Sequence, residues 1–302
     1  MVRRQTAQRQ AESSARDQLL KGLPVQERRL DVGGIATSVL QAGQGPPLLL
    51  LHGGIECGGV YWAPVISRLA ERHLVVVPDV PGLGESEPVE RLDTVTFAGW
   101  FAALLELTCH EQPTVVAHSL LTTLAARFAA RHGDRLRRLV LYGAPGIGRY
   151  RLPLELLAAA ILFDLRPSPR SAERFSRLAF FDLDRTRRRD PEWMEAFDSY
   201  TLSRGAVPHA KRTMRYLIRT CTKQVPDAEL RQIGVPTALL WGRHDRFVPL
   251  RLAEGAASRL GWPLRVIERS GHVPHIEQRD AFLDALSRAG ATGGEPGRPR
   301  PG

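Results

Sequence analysis

Residues 113–123 read Pro-Thr-Val-Val-Ala-His-Ser-Leu-Leu-Thr-Thr and change from a strand pattern to a helix pattern at one serine. Val115 and Val116 are typical of a buried strand, whereas residues 124–130 repeat apolar side chains at helical spacing. Ser119 lies at the turn between them, where the amides of a helix N-terminus also point. The stretch predicts a hydroxyl presented at the end of a sheet, a position suited to a nucleophile. An ordinary strand followed by a serine helix cap has the same local pattern, so other segments must decide.

The length and apolar content of the chain indicate a globular protein. Its 302 residues are 43% apolar, enough for one large α/β domain with an insertion or for two small domains. The longest apolar run, residues 156–163, is too short to span a bilayer, so we expect no membrane partner. Met1–Gln5 is basic but no apolar segment follows it, which argues against a secretory signal and favours the cytoplasm.

Cysteine and charge patterns exclude several other classes. Cys57, Cys109 and Cys221 lack the spacing of a disulfide framework or a zinc site, and we expect neither metal nor cofactor. The net charge is +10, but only three of the 42 basic residues are lysines. This arginine bias is more typical of a GC-rich genome than of a binding face, so we expect no nucleic-acid partner.

Strand and helix patterns alternate along most of the chain. Gln26–Val32 and Ile35–Ala42 flank Gly33-Gly34 and predict a hairpin. The further predicted strands are 47–51, 74–78, 115–116, 136–142, 236–242 and 264–267, and the predicted helices are 63–73, 94–108, 250–260 and 276–289. This alternation predicts a mostly parallel sheet of about eight strands with helices on both faces.

The alternation stops between residues 147 and 225, which are rich in arginine and aromatic residues. This segment holds 16 basic and 9 acidic residues, a surplus of seven positive charges. We interpret it as an inserted helical lid. The predicted organisation is a flexible extension (1–22), a first core part (23–146), the lid (147–225), a second core part (226–290) and a disordered tail (291–302).

Two more polar residues follow predicted strands. Asp245 follows the strand that ends near Gly242, and His272 follows the strand 264–267. Open α/β sheets collect their functional residues at the carboxyl ends of the strands. We therefore expect Ser119, Asp245 and His272 to meet there, with Ser119 Oγ within hydrogen-bond reach of His272.

Four motifs resemble those of the α/β-hydrolase superfamily over roughly residues 25 to 290. They are His52-Gly53, Asp79-x-Pro81-Gly82-x-Gly84-x-Ser86, Trp241-Gly242-x-x-Asp245-x-x-x-Pro249 and Gly271-His272-x-Pro274-x-x-Glu277. The chain order Ser, Asp, His is the order that these hydrolases use. The resemblance is to small lidded serine hydrolases, a group that includes esterases and carbon–carbon bond hydrolases. The serine elbow departs from the Gly-x-Ser-x-Gly pattern, because Ala117 and Leu121 replace both glycines.

The resemblance implies a role for each site residue. Ser119 would be the nucleophile, His272 the base and Asp245 the group that orients the base. The oxyanion hole would consist of the amides of Leu120 and Gly54, with Ile55 as the alternative to Gly54. His209, Phe180 and Trp193 are the predicted substrate contacts in the lid. His52 and His275 are expected to be structural, and His118 to point away from Ser119.

The expected activity is hydrolysis of an ester or of an activated carbon–carbon bond in a small hydrophobic substrate. The basic lid favours a carboxylate-bearing substrate. A serine nucleophile argues against epoxide hydrolases and haloalkane dehalogenases, which resemble each other in using a carboxylate. A ligand-binding protein without catalysis and a cofactor-free lyase or perhydrolase are the alternatives, and a homodimer stays open.

Overall fold

The computed structural model describes residues 14–53 and 55–291. An eight-stranded sheet runs through it in the order β1-β2-β4-β3-β5-β6-β7-β8. The strands are β1 (Val25–Val32), β2 (Ile35–Ala42), β3 (Pro47–Leu51), β4 (Leu74–Pro78), β5 (Thr114–His118), β6 (Arg138–Tyr142), β7 (Thr237–Gly242) and β8 (Leu264–Ile267). β2 is antiparallel to both β1 and β4, and all other pairs are parallel. The prediction of a mostly parallel sheet is confirmed.

The opening hairpin depends on its two glycines. Val32 pairs with Ile35, and Gly33 and Gly34 between them have φ values of 61° and 83°. Both values lie in the left-handed region, which glycine adopts without steric cost. The Asp31 carboxylate also accepts a hydrogen bond from the Gly34 amide at 2.7 Å. The turn thereby sets the register of the first two strands.

The central strands carry apolar side chains on both faces, and each face has its own layer of helices. In β3, Leu49 and Leu51 belong to one buried cluster, whereas Leu48 and Leu50 belong to the other. This alternation follows from the two-residue period of a strand. Helices α3 (Thr94–Thr108), α4 (Leu121–His132) and α11 (Arg251–Leu260) contribute to the first cluster, and α2 (Ala63–Ala70) and α13 (Arg279–Arg288) to the second.

The lid segment, residues 147–225, holds five helices between β6 and β7. They are α5 (Leu154–Leu165), α6 (Pro169–Ala179), α7 (Leu183–Arg189), α8 (Pro191–Gly205) and α9 (Pro208–Cys221). Proline opens α6, α8 and α9 at the first position, where its missing N–H would have no helical partner. A short helix, α10 (Asp227–Leu230), then leads to β7.

The last predicted helix is divided in the structure. α12 (Pro274–Glu277) ends before Gln278, which has φ −130° and ψ 60°, and α13 follows at once. The Gln278 side chain donates to the Arg269 carbonyl at 3.0 Å, which ties the break to the preceding loop. Within the described ranges no helix combines the length and the apolar character that crossing a membrane requires.

The N-terminal extension differs from the expectation. Residues 14–20 form helix α1, in which Leu19 is 2% exposed. Arg16 donates to both carboxylate oxygens of Glu27, at 2.7 and 2.8 Å. The prediction of a flexible extension is therefore wrong for this helix, because apolar burial and a two-pronged ion pair attach it to the core. Residues 1–13, and residues 292–302 of the predicted disordered tail, lie outside the described residues.

Candidate active site

Ser119 occupies a strained turn between β5 and α4. Its φ is 51°, a value uncommon for residues other than glycine. The Ser119 amide donates to the Tyr142 carbonyl at 2.8 Å, so β6 holds the turn in place. A non-glycine residue in this region costs about 1–3 kcal/mol and persists only where its surroundings enforce it. The turn presents the hydroxyl at the carboxyl ends of the parallel strands.

The structure brings Ser119, His272 and Asp245 into one hydrogen-bonded chain. Ser119 Oγ lies 2.9 Å from His272 Nε2, and His272 Nδ1 lies 2.8 Å from Asp245 Oδ2. A carboxylate only accepts, so the proton of the neutral ring belongs on Nδ1 and leaves Nε2 free to take the serine proton. The other oxygen, Asp245 Oδ1, accepts from the Phe247 and Val248 amides at 2.8 and 2.9 Å. Asp245 is therefore held in place on both sides.

The main chain of His272 is held as firmly as its ring. Its amide donates to the Ala179 carbonyl at 2.7 Å. Its carbonyl oxygen accepts from Tyr142 Oη at 3.0 Å and lies 3.0 Å from His118 Nε2. Gly143 leaves room for the ring, because a Cβ at that position would lie 3.0 Å from His272 Cε1. These contacts aim His272 at Ser119.

His118 is expected to point away from Ser119, and the structure places its ring against His272. Its ring centroid lies 4.5 Å from that of His272, and its Nδ1 lies 3.3 Å from Tyr61 Oη. Burial, with help from His272, holds the pKa of His118 well below its ordinary value, so the ring is neutral. Since a carbonyl cannot donate, Nε2 carries the proton and donates to His272. The sequence does contain a signal for these contacts, because a histidine in a strand that is otherwise apolar on both faces needs internal hydrogen-bond partners.

The other two histidines near the site have structural partners, as expected. His52 Nε2 accepts from the Val80 amide at 3.1 Å, and burial lowers the pKa of His52 to about 3. His275 lies within α12, with Nδ1 at 3.1 Å from Tyr142 Oη. Both rings are fully buried and support the walls around His272.

The predicted oxyanion-hole residues are only partly described. Gly54 lies outside the described residues. Leu120 is the N-cap of α4 and directly follows Ser119, so its amide belongs to the helix end that lacks partners within the helix. Ile55, the alternative to Gly54, is half-buried against the second apolar cluster. The role of these amides stays a prediction.

The three predicted lid contacts lie in different surroundings. Phe180 borders a cavity of about 420 Å³ that Asp245 also lines. Trp193 instead lines a separate cavity of about 440 Å³ beside α1, and its ring stacks on Phe197 at 5.0 Å. His209 is half-buried, and burial together with the Arg204 and Arg212 charges lowers its pKa. Only Phe180 of the three is placed beside a member of the triad.

Leu121, the larger of the two departures from the elbow pattern, is fully buried at the first turn of α4. It belongs to the same apolar cluster as Ala117 and Ala125. In the part of the chain that the structure describes, no group of three or more His, Cys, Asp or Glu side chains could hold a metal.

Comparison with known proteins identifies the family to which this site belongs. The family described as alpha/beta hydrolase fold matches residues 46–278. A 2-hydroxy-6-oxo-2,4-heptadienoate hydrolase of Pseudomonas putida is 27% identical over 275 residues, which are 85% of this chain and 93% of the relative. A pimeloyl-[acyl-carrier protein] methyl ester esterase of Chromobacterium violaceum is 27% identical over 252 residues, which are 81% of this chain and 94% of the relative.

A solved structure has the same fold. The 2-hydroxy-6-oxo-6-phenylhexa-2,4-dienoate hydrolase of Rhodococcus sp. strain RHA1 superposes with a TM-score of 0.76 at 24% identity, covering 88% of this chain and 98% of that one. The family match extends from β3 to the end of α12 and includes all three residues of the hydrogen-bonded chain. The protein therefore belongs to the α/β-hydrolase fold family.

Proposed function

We propose that the protein is a serine hydrolase in which Ser119 attacks an acyl carbon, His272 moves the proton and Asp245 orients His272. The observation that carries this proposal is the continuous chain of contacts of 2.9 and 2.8 Å from the serine hydroxyl to the aspartate. A serine hydroxyl becomes an effective nucleophile only when an adjacent base takes its proton. The same contacts support an enzyme over the alternative of a ligand-binding protein.

The proposed reaction has two halves. Ser119 Oγ bonds to the acyl carbon while its proton passes to His272 Nε2, and the amides of Leu120 and of Gly54 or Ile55 hold the developing oxyanion. The leaving group then departs with the proton from His272, which leaves an acyl-enzyme. Water, deprotonated by His272, hydrolyses this intermediate and restores Ser119. No step needs a metal or a cofactor, because the chain supplies the nucleophile, the base and the oxyanion donors.

The substrate class that we propose is a small hydrophobic ester or a ring-cleavage diketone. The relatives include one protein named as a methyl ester esterase and one named as a hydrolase of a hydroxy-oxo-dienoate. Ser119 could attack the acyl carbon of an ester or of a diketone, so the two substrate classes differ in the chemistry of the leaving group.

The positive surplus of the lid is a property of the whole segment and does not by itself place a positive charge beside the substrate. Several lid arginines are engaged in ion pairs with acidic side chains: Arg177 with Glu173 and Asp184, Arg187 with Glu173 and Asp198, Arg204 with Glu85, and Arg215 with Asp164. A carboxylate on the substrate therefore stays a prediction, as do the cytoplasmic location and the homodimer.

A substrate panel tests the proposal. Purified protein is assayed against p-nitrophenyl esters of increasing acyl length and against vinylogous ring-cleavage diketones, with Ser119→Ala as the matched control. We expect turnover of at least one class by the native protein and loss of that turnover in the variant, with an unchanged melting temperature. Equal turnover by both proteins, or ligand binding without turnover by the native protein, would contradict the proposal.

A further inference from the structure

Glu277 is a buried carboxylate that the proposed chemistry does not use. It ends α12, five residues after His272, and is 5% exposed. Both of its oxygens are fully occupied. Oε1 accepts from the Phe181 and Asp182 amides at 2.7 and 3.1 Å, and Oε2 accepts from the Gly271 amide at 2.7 Å and from Ser270 Oγ at 3.3 Å.

The four donors come from two segments that are distant in sequence. Phe181 and Asp182 belong to the turn between α6 and α7, which we call the lid turn and define as residues 179–182. Ser270 and Gly271 belong to the loop that carries His272, which we call the histidine loop and define as residues 268–273. A single carboxylate therefore joins the lid to the histidine loop.

The two segments also touch directly at the catalytic histidine. The His272 amide donates to the Ala179 carbonyl at 2.7 Å. A Cβ at Gly271 would lie 2.3 Å from the same carbonyl oxygen, so the close approach requires glycine at this position. Displacement of the lid turn would remove the only donor-acceptor contact of the His272 amide that the described residues provide.

Arg189 lies beside Glu277 but forms its hydrogen bonds with main-chain carbonyls rather than with the Glu277 carboxylate. Its guanidinium donates to the main-chain carbonyls of Ile276 and Glu277. Burial raises the pKa of Glu277, and the hydrogen bonds from the Gly271, Asp182 and Phe181 amides act against that rise. A buried carboxylate that loses its hydrogen-bond donors is costly in free energy. The seated positions of the lid turn and the histidine loop therefore stabilise each other through Glu277.

We propose that Glu277 is a positioning residue that holds the lid turn and the histidine loop as one unit, so that His272 faces Ser119 only while the lid turn is seated. The proposal rests on the proposed role of His272 as the base. It makes the position of the lid turn a condition for proton transfer between Ser119 and His272.

Glu277→Gln tests this role, because the amide keeps the size of the side chain but replaces one acceptor with a donor that faces N–H groups. We expect kcat to fall on the order of 10²-fold with KM little changed, since small displacements of a catalytic group cost about that much. The rate of Ser119 labelling by a fluorophosphonate should fall in parallel. Glu277→Asp keeps the charge, but its shorter side chain can reach only one of the two segments. Its kcat should therefore lie between those of the native protein and of Glu277→Gln.

Glu268→Gln is the matched control. Glu268 lies in the same loop, but its carboxylate is exposed and bonded only to Arg243 among the described side chains. This variant should retain native kcat. Circular dichroism at the assay temperature ensures that all variants compared are folded.

Hydrogen exchange separates positioning from simple stabilisation and does not depend on activity. In Glu277→Gln, the amides of Phe181, Asp182, Gly271 and His272 should all exchange faster, in both segments together. Native kcat in a folded Glu277→Gln protein, or faster exchange in one segment alone, would overturn the proposal. Absence of labelling in the native protein would instead refute the proposed function, while the exchange result would still decide the coupling.

Discussion

The catalytic floor and the lid are built on different physical principles. The floor consists of the carboxyl ends of β5, β7 and β8, and its functional side chains are buried and held by main-chain donors and acceptors. The lid combines buried apolar side chains, such as Leu156, Ala159 and Leu178, with ion pairs at its surface. Its helix α5 also leaves Leu154, Ile161 and Leu165 at 82%, 50% and 69% exposure. Main-chain contacts within a sheet fix atomic positions, whereas exposed ion pairs contribute little to stability. The difference indicates that the sheet and its loops fix the positions of Ser119, Asp245 and His272.

The lid turn is the exception within this comparison. It is tied to the floor through Glu277 and through the Ala179 carbonyl, in contacts that resemble those of the sheet. Arg279 adds an ion pair with Asp190 at 2.7 Å, between α13 and the α7–α8 junction. One side of the lid is thus attached to the histidine loop, while α5 presents an apolar face outward.

The largest expected difference between the floor and the lid is the difference in kcat between Asp245→Asn in the floor and an arginine variant in the lid. An amide in place of the Asp245 carboxylate would stabilise the wrong tautomer of His272, so kcat should fall on the order of 10⁴-fold. The lid control is Arg215→Ala, which removes the exposed ion pair with Asp164. This control should retain native kcat and a nearly native unfolding free energy, because exposed ion pairs contribute little to stability. Steady-state kinetics and denaturant unfolding of both variants check the contrast, and a similar kcat in the two would break it.

Leu121→Gly should separate the stability of the floor from its chemistry. Removing a fully buried leucine should lower the unfolding free energy by about 2–5 kcal/mol, with about 1 kcal/mol more for glycine in a helix. Denaturant unfolding measures the loss, and fluorophosphonate labelling of Ser119 should persist in the folded fraction. A variant that is more stable and more active would mean that Leu121 is a strained defect, and the ligand-binding alternative would gain.

His118→Asn should change how the stability of the floor depends on pH. The folded protein holds the pKa of His118 well below 6.5, so below that pH the unfolded chain binds a proton that the folded chain does not. Stability from this group is therefore complete above about pH 6.5 and falls on acidification by about 1.4 kcal/mol per pH unit. Urea unfolding between pH 7 and 5 should show a shallower decline in the variant. Parallel curves for the two proteins would contradict a neutral, buried His118.

The sequence was sufficient for the parts of the molecule that local patterns encode. The Gly33-Gly34 hairpin, the helix Thr94–Thr108 and the strand Leu264–Ile267 were predicted and occur where expected. Ser119, Asp245 and His272 could be brought together because each follows a strand of a parallel sheet, and such strands end at one edge.

Other features depend on contacts between distant segments and could not be read from local patterns. The partners of Glu277 include main-chain amides 96 and 95 residues away, and an amide carries no sequence signature. His118 alternates correctly along β5, but the histidine loop folds back against its ring. Trp193 belongs to an aromatic-rich helix, and only tertiary packing directs it to the cavity beside α1.

The role of His272 as the base for Ser119 is tested most directly by fluorophosphonate labelling and peptide mapping of the native protein and of His272→Ala. We predict that the probe modifies the peptide that contains Ser119 in the native protein, and that the rate of modification collapses when His272 is removed. A folded native protein in which Ser119 stays unmodified, or one labelled equally fast without His272, would contradict this role.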